Sequence, residues 1–367
     1  MIRYITNTYS YYLFSLMLML LIVVGCGTAP NVSSNESVSQ SLGSSSSTFQ
    51  STARFKYPYG VAVDTTGNLF VADAGNNEVR EITPKGSVTT LDGVSAGLEQ
   101  PVSAAVDLYD NVYVGSSNEI LQIASDRSVT DIAGSDDSGS VNANGATASF
   151  SSPAGIAMDT SGNLYVADTD NNEIRKITPS GDVSTFAGST KAGSADGVGT
   201  QASFNWPFGI AIDSSNNLYV SDYGNSEIRK ITPSGTVSTL AGSKQKGDAD
   251  GNGTVATFNL PAGIAIDSND NLYVADRGNN QIRKISTTGL VIVGTLAGSG
   301  KSGSADGTGA GASFNSPFGV AVDGNGTVYV ADTSNNEIRQ ITPGGVVTTV
   351  AGSTTPGNKD GSALPRQ

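Results

Sequence analysis

The chain has 367 residues with one cysteine and no histidine, and its formal net charge is −13. Without histidine, and with a single cysteine, Ser-His-Asp and Cys-His catalysis and zinc sites of the His or Cys type are excluded. An acidic chain also argues against nucleic acid as a partner, because nucleic acid is bound by clustered lysine and arginine.

The first 25 residues predict an export signal. Arg3 precedes an apolar run over residues 13–24, which has the length of a signal peptide rather than of a membrane span. The run ends in Val-Val-Gly followed by Cys26, which resembles the lipobox of bacterial lipoproteins. That resemblance implies lipidation of Cys26, and Gly27 in place of aspartate favours the outer membrane. We therefore expect an exported lipoprotein, periplasmic or at the cell surface; the alternative is a plain signal peptide with an incidental cysteine.

Residues 26–52 are dominated by Ser, Asn, Thr and Gly and contain few apolar side chains. Such a segment cannot bury enough surface to offset its ordering entropy, so it predicts a flexible tether. The expected division is a signal peptide at 1–25, the lipidated cysteine with its tether at 26–52, and a folded domain at 53–367.

The folded domain repeats one segment six times at intervals of about 50 residues, a period typical of repeat architectures. Its copies begin at Pro58, Pro101, Pro153, Pro207, Pro261 and Pro317. The copy at Pro207 contains four short β-type runs separated by turn residues, which predicts four antiparallel strands. The first two runs are apolar on both faces, so one copy cannot cover its own apolar surface. Stacking the copies around an axis predicts an all-β, six-bladed β-propeller of four-stranded antiparallel blades.

The repeat also resembles a known family. Residues 153–159 read PAGIAMD, residues 162–168 read GNLYVAD and residues 171–177 read NNEIRKI. This pattern is similar to the NHL repeat, and the resemblance covers roughly residues 58–352. NHL-repeat proteins are six-bladed propellers, which agrees with the count of copies. We expect the ring to close between blades six and one.

The Pro-x-Gly entries and the turns after strand two are expected on one face, where the copies agree least. Unusual side chains collect there: Tyr57, Tyr59, Trp206, Phe208 and Phe318 at the entries, and Asp170, Tyr223 and Arg277 in the turns. Exposed aromatic residues beside an arginine are typical of a recognition patch. The alternative is that these aromatics cap the central channel or pack between blades.

Two sets of repeated charges have a structural interpretation. Aspartates close the first and second strands of the copies, and we expect both sets to cap the following turns through backbone N–H groups. Gly115 is taken to replace the second aspartate in the second copy. The Glu-x-Arg pairs of strand three, such as Glu227 and Arg229, are expected to form an exposed charged ladder of little energetic weight.

One insertion carries a weak calcium hypothesis. Asp248, Asp250 and Asn252 read like the start of an EF-hand loop, but Asn259 stands where the twelfth position requires glutamate. No other cofactor is expected.

These features favour a non-catalytic module that binds a protein, peptide or glycan, with the lipid on Cys26 as its membrane contact. No catalytic residue is assigned, and the oligomeric state stays open. Two alternatives remain: a propeller hydrolase or lyase that depends on a divalent metal, and a purely structural envelope or adhesion protein. Propeller lyases that resemble this repeat use histidines, which this chain lacks.

Overall fold

The computed structural model describes residues 51–92, 97–364 and 366. The predicted signal peptide, Cys26 and the tether up to residue 50 lie outside the described residues. Ser51 and Thr52, assigned to the tether from sequence, hydrogen-bond to Ser362, so they belong to the folded unit. No helix within the described ranges is long and apolar enough to cross a membrane.

The described residues form six antiparallel sheets, one for each copy of the repeat. Blade 1 contains β1 (Pro58–Val63), β2 (Leu69–Asp73), β3 (Glu78–Ile82) and β4 (Ser87–Asp92); blade 2 contains β5 (Ala105–Val106), β6 (Val112–Ser116), β7 (Glu119–Ile123) and β8 (Val129–Gly134). Blade 3 contains β9 (Pro153–Met158), β10 (Leu164–Asp168), β11 (Glu173–Ile177) and β12 (Val183–Gly188), and β13 (Gly197–Val198) follows it. Blade 4 contains β14 (Pro207–Ile212), β15 (Leu218–Asp222), β16 (Glu227–Ile231) and β17 (Thr236–Gly242), and β18 (Gly251–Asn252) follows it. Blade 5 contains β19 (Pro261–Ile266), β20 (Leu272–Asp276), β21 (Gln281–Ser286) and β22 (Ile292–Ala297), and β23 (Gly307–Thr308) follows it. Blade 6 contains β24 (Val320–Val322), β25 (Val328–Asp332), β26 (Glu337–Ile341) and β27 (Val346–Gly352), and β28 (Gly361–Ser362) follows it.

Single 3₁₀ turns lie between the strands. They span Ala74–Asn76, Gly145–Thr147, Thr169–Asn171, Gly199–Gln201, Tyr223–Asn225, Gly253–Val255, Arg277–Asn279, Gly309–Gly311 and Thr333–Asn335. Five of these follow the second strand of a blade, and they carry the turn residues discussed below.

The core consists of six apolar clusters, and each cluster joins two adjacent blades, including blades 6 and 1. The Phe that precedes the entry in five blades is fully buried in such a cluster, as Phe204 is between blades 3 and 4, and Leu98 takes this place before blade 2. This confirms the six-bladed propeller, its closure between the last and first blades, and the reasoning that single sheets cannot cover their own apolar faces.

The glycine-rich insertions add a fifth strand that the sequence did not indicate. β13, β18 and β23 each pair with the outer strand of the next blade, β17, β22 and β27 respectively. β28 does the same on β4 of blade 1, with Gly361 opposite Val88 and Ser362 opposite Ser87. The segment after blade 6 therefore closes the ring by the same device that joins internal blades.

The aspartates that end each first strand cap the turn that follows. Asp213 Oδ1 accepts the backbone N–H groups of Ser215 at 2.9 Å and Asn217 at 2.8 Å. The pattern recurs at Asp64, Asp107, Asp159, Asp267 and Asp323. For this set the predicted capping role is confirmed.

The second set of aspartates does something else. Asp222 Oδ1 accepts the backbone N–H of Asn205, which precedes the blade, at 2.8 Å. Its Oδ2 accepts Asn225 Nδ2 at 2.8 Å and Arg229 Nη1 at 2.9 Å. The prediction that this set caps the following turn through backbone N–H groups was therefore wrong, because these carboxylates tie the segment entering the blade to strand three.

The arginines of strand three are buried rather than exposed. Arg229 has no exposed side-chain surface, and besides Asp222 it donates to Asp196 Oδ1 at 2.7 Å and to the Ser203 carbonyl at 3.1 Å. Its guanidinium lies 5.3 Å from the ring centroid of Phe204. Arg80, Arg175, Arg283 and Arg339 are equally buried. The predicted exposed ladder was wrong, because the arginines are buried and their shortest ion pairs are to aspartates of strand two and, in blades 1, 4, 5 and 6, of the insertion that pairs with the blade. Within the described residues, the glutamate two residues away lies within ion-pair distance only in blades 1, 3 and 6, at 3.7–3.9 Å.

Blade 2 departs from this network. Ser116 lies opposite Glu119 as Asp73 lies opposite Glu78, so Ser116, not Gly115, takes the aspartate position. Ser116 Oγ accepts the backbone N–H of Glu99 at 2.8 Å. Leu121, 2% exposed, takes the place of the arginine. Blade 2 therefore forms the same sheet with Ser116 and Leu121 in place of the buried Asp–Arg ion pair.

The first strands of adjacent blades approach each other closely at Gly209, and a substitution there tests this packing. A Cβ on Gly209 would lie 2.4 Å from the Ala262 carbonyl oxygen and 2.8 Å from the Ile264 backbone nitrogen. Because these neighbours are backbone atoms, we expect Gly209→Ala to lower the free energy of unfolding by about 1–3 kcal/mol, measured by urea denaturation. Gly294→Ala is the control, since a Cβ there has no neighbour within 4 Å. Equal stability of Gly209→Ala and wild type would contradict the close approach.

Candidate functional site

The residue that follows each entry proline lies at the start of the innermost strand. It is large in three blades, as Tyr59, Phe208 and Phe318, and small or aliphatic in the others, as Val102, Ala154 and Ala262. The three rings meet across blade boundaries: Tyr59 and Phe318 have centroids 4.5 Å apart, and Phe208 and Phe318 have centroids 4.7 Å apart. Phe208 and Phe318 belong to blades 4 and 6, so they meet over Ala262 of blade 5, which is fully buried.

The first residue of the turn after strand two completes this group. In blades 3 and 6 it is a threonine whose hydroxyl donates to the entry proline carbonyl of the next blade, from Thr169 to Pro207 at 2.8 Å and from Thr333 to Pro58 at 2.6 Å. In blades 4 and 5 the same position holds Tyr223 and Arg277. The fold therefore accepts a small hydroxyl side chain where blades 4 and 5 carry large ones.

Tyr223 and Arg277 converge on the rings. Arg277 Nη1 donates to Tyr223 Oη at 2.5 Å, and its guanidinium lies 5.2 Å from the Phe318 centroid. The Tyr223 and Phe208 rings are 6.3 Å apart. We call Tyr59, Phe208, Tyr223, Arg277 and Phe318 the aromatic–arginine cluster. Five of the eight predicted binding residues thus form one contiguous group.

The cluster is only partly covered. Phe318 is 7% exposed and acts mainly as packing, whereas Tyr59, Phe208, Tyr223 and Arg277 are half-buried. The alternative interpretation from sequence, that the aromatics pack at the channel, therefore describes Phe318 well. The other four side chains keep surface that a ligand can contact.

Tyr57 and Trp206 lie at the residue before the entry proline and are 47% and 48% exposed. Both have left-handed backbone, with φ of 50° and 53°, and each backbone N–H donates to an Asn of the preceding blade, Asn336 and Asn172 respectively. These two rings make no ring–ring contact within the described residues.

Asp170 belongs to blade 3, and its Oδ2 accepts Ser152 Oγ at 2.8 Å. Ser152 takes the position that Trp206 takes in the next blade. Asp170 therefore contacts the entry of its own blade.

The calcium candidates lie in the insertion before blade 5. Asp250 Oδ1 accepts Arg283 Nη2 at 2.7 Å and Thr295 Oγ1 at 3.0 Å, and Asn252 lies in β18. Asp248 is exposed. Within the described ranges no three His, Cys, Asp or Glu side chains are grouped to hold a metal. Asp250 has a structural partner that the sequence did not indicate, and calcium binding stays a prediction.

Sequence reasoning missed one exposed apolar pair. Leu108 and Tyr109 in the β5–β6 turn are 82% and 80% exposed. Other blades have Thr, Ser, Asn or Gly in this turn, so the departure was visible in the sequence. The turn follows strand one, so it lies on the face opposite the aromatic–arginine cluster.

Comparison with protein-family models covers every blade. The model described as NHL repeat matches residues 55–82, 204–231, 258–285 and 314–341, and the model described as Teneurin NHL domain matches residues 89–197. The chain is an NHL-repeat β-propeller. The second and third copies of the repeat are those matched by the Teneurin model.

Relatives of this NHL propeller occur in plants and animals. It is 30% identical over 266 residues to Protein SUPPRESSOR OF QUENCHING 1, chloroplastic, of Arabidopsis thaliana, a match covering 64% of this chain and 25% of that protein. It is 28% identical to NHL repeat-containing protein 2 of Bos taurus, a match covering 64% of this chain and 39% of that protein. It is 28% identical to Teneurin-4 of Homo sapiens, a match covering 47% of this chain and 8% of that protein. The match thus spans two fifths or less of these relatives' own length.

Solved structures share the fold at low identity. A protein of unknown function from Bacteroides thetaiotaomicron has a TM-score of 0.63 and 24% identity, covering 79% of this chain and 70% of its own. An auxiliary nutrient binding protein from the same organism has a TM-score of 0.62 and 18% identity, covering 81% and 70%. Virginiamycin B lyase from Staphylococcus aureus has a TM-score of 0.51 and 16% identity, covering 83% and 87%. The fold is therefore shared by proteins that are described with different functions.

Proposed function

We propose that this NHL propeller is a non-catalytic binding module of the bacterial envelope, with the aromatic–arginine cluster as its ligand-binding surface. One observation carries the proposal. The cluster exists only where blades depart from their own repeat, since Ala154 and Thr169 fill the Phe208 and Tyr223 positions in blade 3. Large side chains that the fold does not require, gathered on one surface and partly exposed, are the composition of a recognition site.

The envelope part of the proposal rests on the sequence. The apolar run over residues 13–24 and Cys26 with its lipobox resemblance predict export and lipid anchoring. The fold shared with an auxiliary nutrient binding protein of Bacteroides thetaiotaomicron supports a ligand-binding role. The ligand in this proposal is a protein, peptide or glycan.

The lyase-like alternative has less support. Virginiamycin B lyase shares the fold, and a structure of that enzyme with one histidine replaced by alanine is described as catalytically inactive. The present chain has no histidine at any position, so it has no group equivalent to that one. The fold alone therefore does not transfer the lyase activity.

The test converts blade 4 into the residues of blade 3. Purified protein is used to capture partners from an envelope extract, in the wild type and in the double variant Phe208→Ala/Tyr223→Thr. We expect the double variant to keep its melting temperature, because blade 3 folds with Ala154 and Thr169 at these positions. Its affinity for each captured partner should fall at least about 10-fold, since aromatic anchors dominate such interfaces.

Tyr109→Ser is the matched control, because it removes a ring of similar size from the opposite face and restores the serine found at Ser161 and Ser215. It should bind as the wild type does. If the double variant keeps every partner, or if Tyr109→Ser loses them instead, the cluster is not the binding surface.

A further inference from the structure

Arg277 differs from the arginines that hold the blades together. Each of the five strand-three arginines bonds a buried aspartate at 2.7–3.2 Å. Arg277 makes one hydrogen bond among the described residues, to Tyr223 Oη, and its Nε is buried without a hydrogen-bond partner, as are the Nε atoms of the strand-three arginines. Among the described residues no carboxylate lies within ion-pair distance of it, although the chain carries 33 acidic side chains.

A half-buried guanidinium without an anionic partner carries a positive charge that no neighbouring negative charge balances. Partial burial weakens its hydration, and Phe318 covers one face of it at 5.2 Å. Its planar array of N–H donors matches a carboxylate, which accepts two parallel hydrogen bonds. The surface chemistry at Arg277 is therefore complementary to an organic anion, in a protein whose overall charge repels anions.

The rings beside Arg277 narrow the choice of ligand. Interplanar angles are 54° for Tyr59–Phe318, 70° for Phe208–Phe318 and 44° for Phe208–Tyr223. Rings tilted in this way present edges as well as faces, and they do not form the single flat face on which a sugar stacks. An apolar or aromatic side chain packs well in edge-to-face contact with such a group.

We infer that the cluster recognises the free carboxyl terminus of a peptide or protein that ends in an apolar residue. Arg277 binds the terminal carboxylate, and the last side chain packs against Phe208 and Tyr59. Capture of a C-terminal carboxylate is an established mode of peptide recognition. This inference rests on the proposed function and specifies its ligand.

The test uses labelled pentapeptides of sequence GSGSX, where X is Phe, Leu, Val or Ala, each as the free acid and as the amide. Binding to the purified protein is measured by fluorescence anisotropy. We expect the acids ending in Phe or Leu to bind, and the matching amides to bind at least about 10-fold more weakly. Arg277→Thr should weaken the acids by the same factor and leave the amides unchanged.

Arg277→Thr restores the residue present at Thr169 and Thr333, so it is expected to fold, and an unchanged melting temperature verifies this. Arg127→Gly removes an exposed arginine from the opposite face and restores the glycine of Gly86 and Gly235, which controls for net charge. It should bind every peptide as the wild type does.

Acids and amides that bind equally, or Arg277→Thr binding as the wild type does, would overturn the inference. So would binding of methyl glucuronide, the glycan probe, in place of the peptides. If partner capture depends on Phe208 and Tyr223 while no free-acid peptide binds, the proposed function stands and this inference alone fails.

Discussion

Replacing Arg229 by leucine is expected to lower the free energy of unfolding by about 3–5 kcal/mol, because it leaves Asp222 buried and charged without its cation. Asp222 has no exposed side-chain surface, and Arg229 Nη1 lies 2.9 Å from its Oδ2. The remaining partners, the Asn205 N–H and the Asn225 amide, are neutral. Urea denaturation of the variant and the wild type measures the difference.

Blade 2 supplies the control for this variant. It has Ser116 and Leu121 where blade 4 has Asp222 and Arg229, and it forms the same antiparallel sheet. The double variant Asp222→Ser/Arg229→Leu removes both buried charges together. It should recover most of the stability lost in the single variant, since replacing a buried ion pair by apolar groups is often near neutral. A double variant as unstable as the single one would show that the ion pair itself, not the unpaired charge, sets the cost.

The pH dependence separates these cases further. Burial raises the pKa of Asp222 to about 6, against the lowering effect of the Asn205 and Asn225 hydrogen bonds and of Arg229. A carboxyl group whose pKa is higher in the folded state binds protons more readily there, so its contribution to stability grows as the pH falls through about 6 towards its unfolded value of 3.8. Removing Arg229 raises the pKa further. The deficit of Arg229→Leu near pH 7 should therefore shrink near pH 5, whereas the double variant should show no such recovery.

The sequence was enough to predict the blade architecture because its signals are local. Runs such as Leu218-Tyr219-Val220, bounded by Asn and Asp turns, specify short strands, and six copies at regular intervals specify a ring. The contacts that join distant segments were not predictable in this way. Arg229 meets Asp196, 33 residues earlier, only because β13 pairs with β17. A two-residue strand in a glycine-rich insertion leaves no periodic pattern to detect.

The candidate site was partly predictable for a similar reason. Departures from the repeat pointed to Phe208, Tyr223 and Arg277, and the structure places them in one cluster. Trp206 was grouped with Phe208 because both lie at the Pro-x-Gly entry of blade 4. Trp206 has a left-handed backbone, with φ of 53°, and its ring makes no ring–ring contact with Phe208. The sequence does not indicate the left-handed backbone of the residue before the entry proline.

The second large loss of stability is expected when the segment that closes the ring is removed. Ending the chain after Ser353 removes β28 from the edge of β4 and removes Asp360, whose Oδ1 lies 2.7 Å from Arg80 Nη2. It also removes the partner of Ser51, whose Oγ donates to the Ser362 carbonyl at 2.8 Å. We expect the free energy of unfolding to fall by at least about 3 kcal/mol, because the buried Arg80 loses its shortest ion pair and blade 1 loses its outer strand.

A synthetic peptide with the sequence of residues 354–364 should restore much of this stability when added to the truncated protein, because a ligand that binds only the folded state shifts unfolding by mass action. The same peptide carrying Asp360→Ala should rescue less well, since Arg80 then keeps only Asp73 as its close carboxylate partner. Asp306→Ala in the full chain makes the equivalent change at an internal blade, where Arg339 loses the same contact while covalent continuity is kept. If truncation costs no more than Asp306→Ala, β28 is a passive edge strand and the ring is held closed by the apolar cluster between blades 6 and 1 alone.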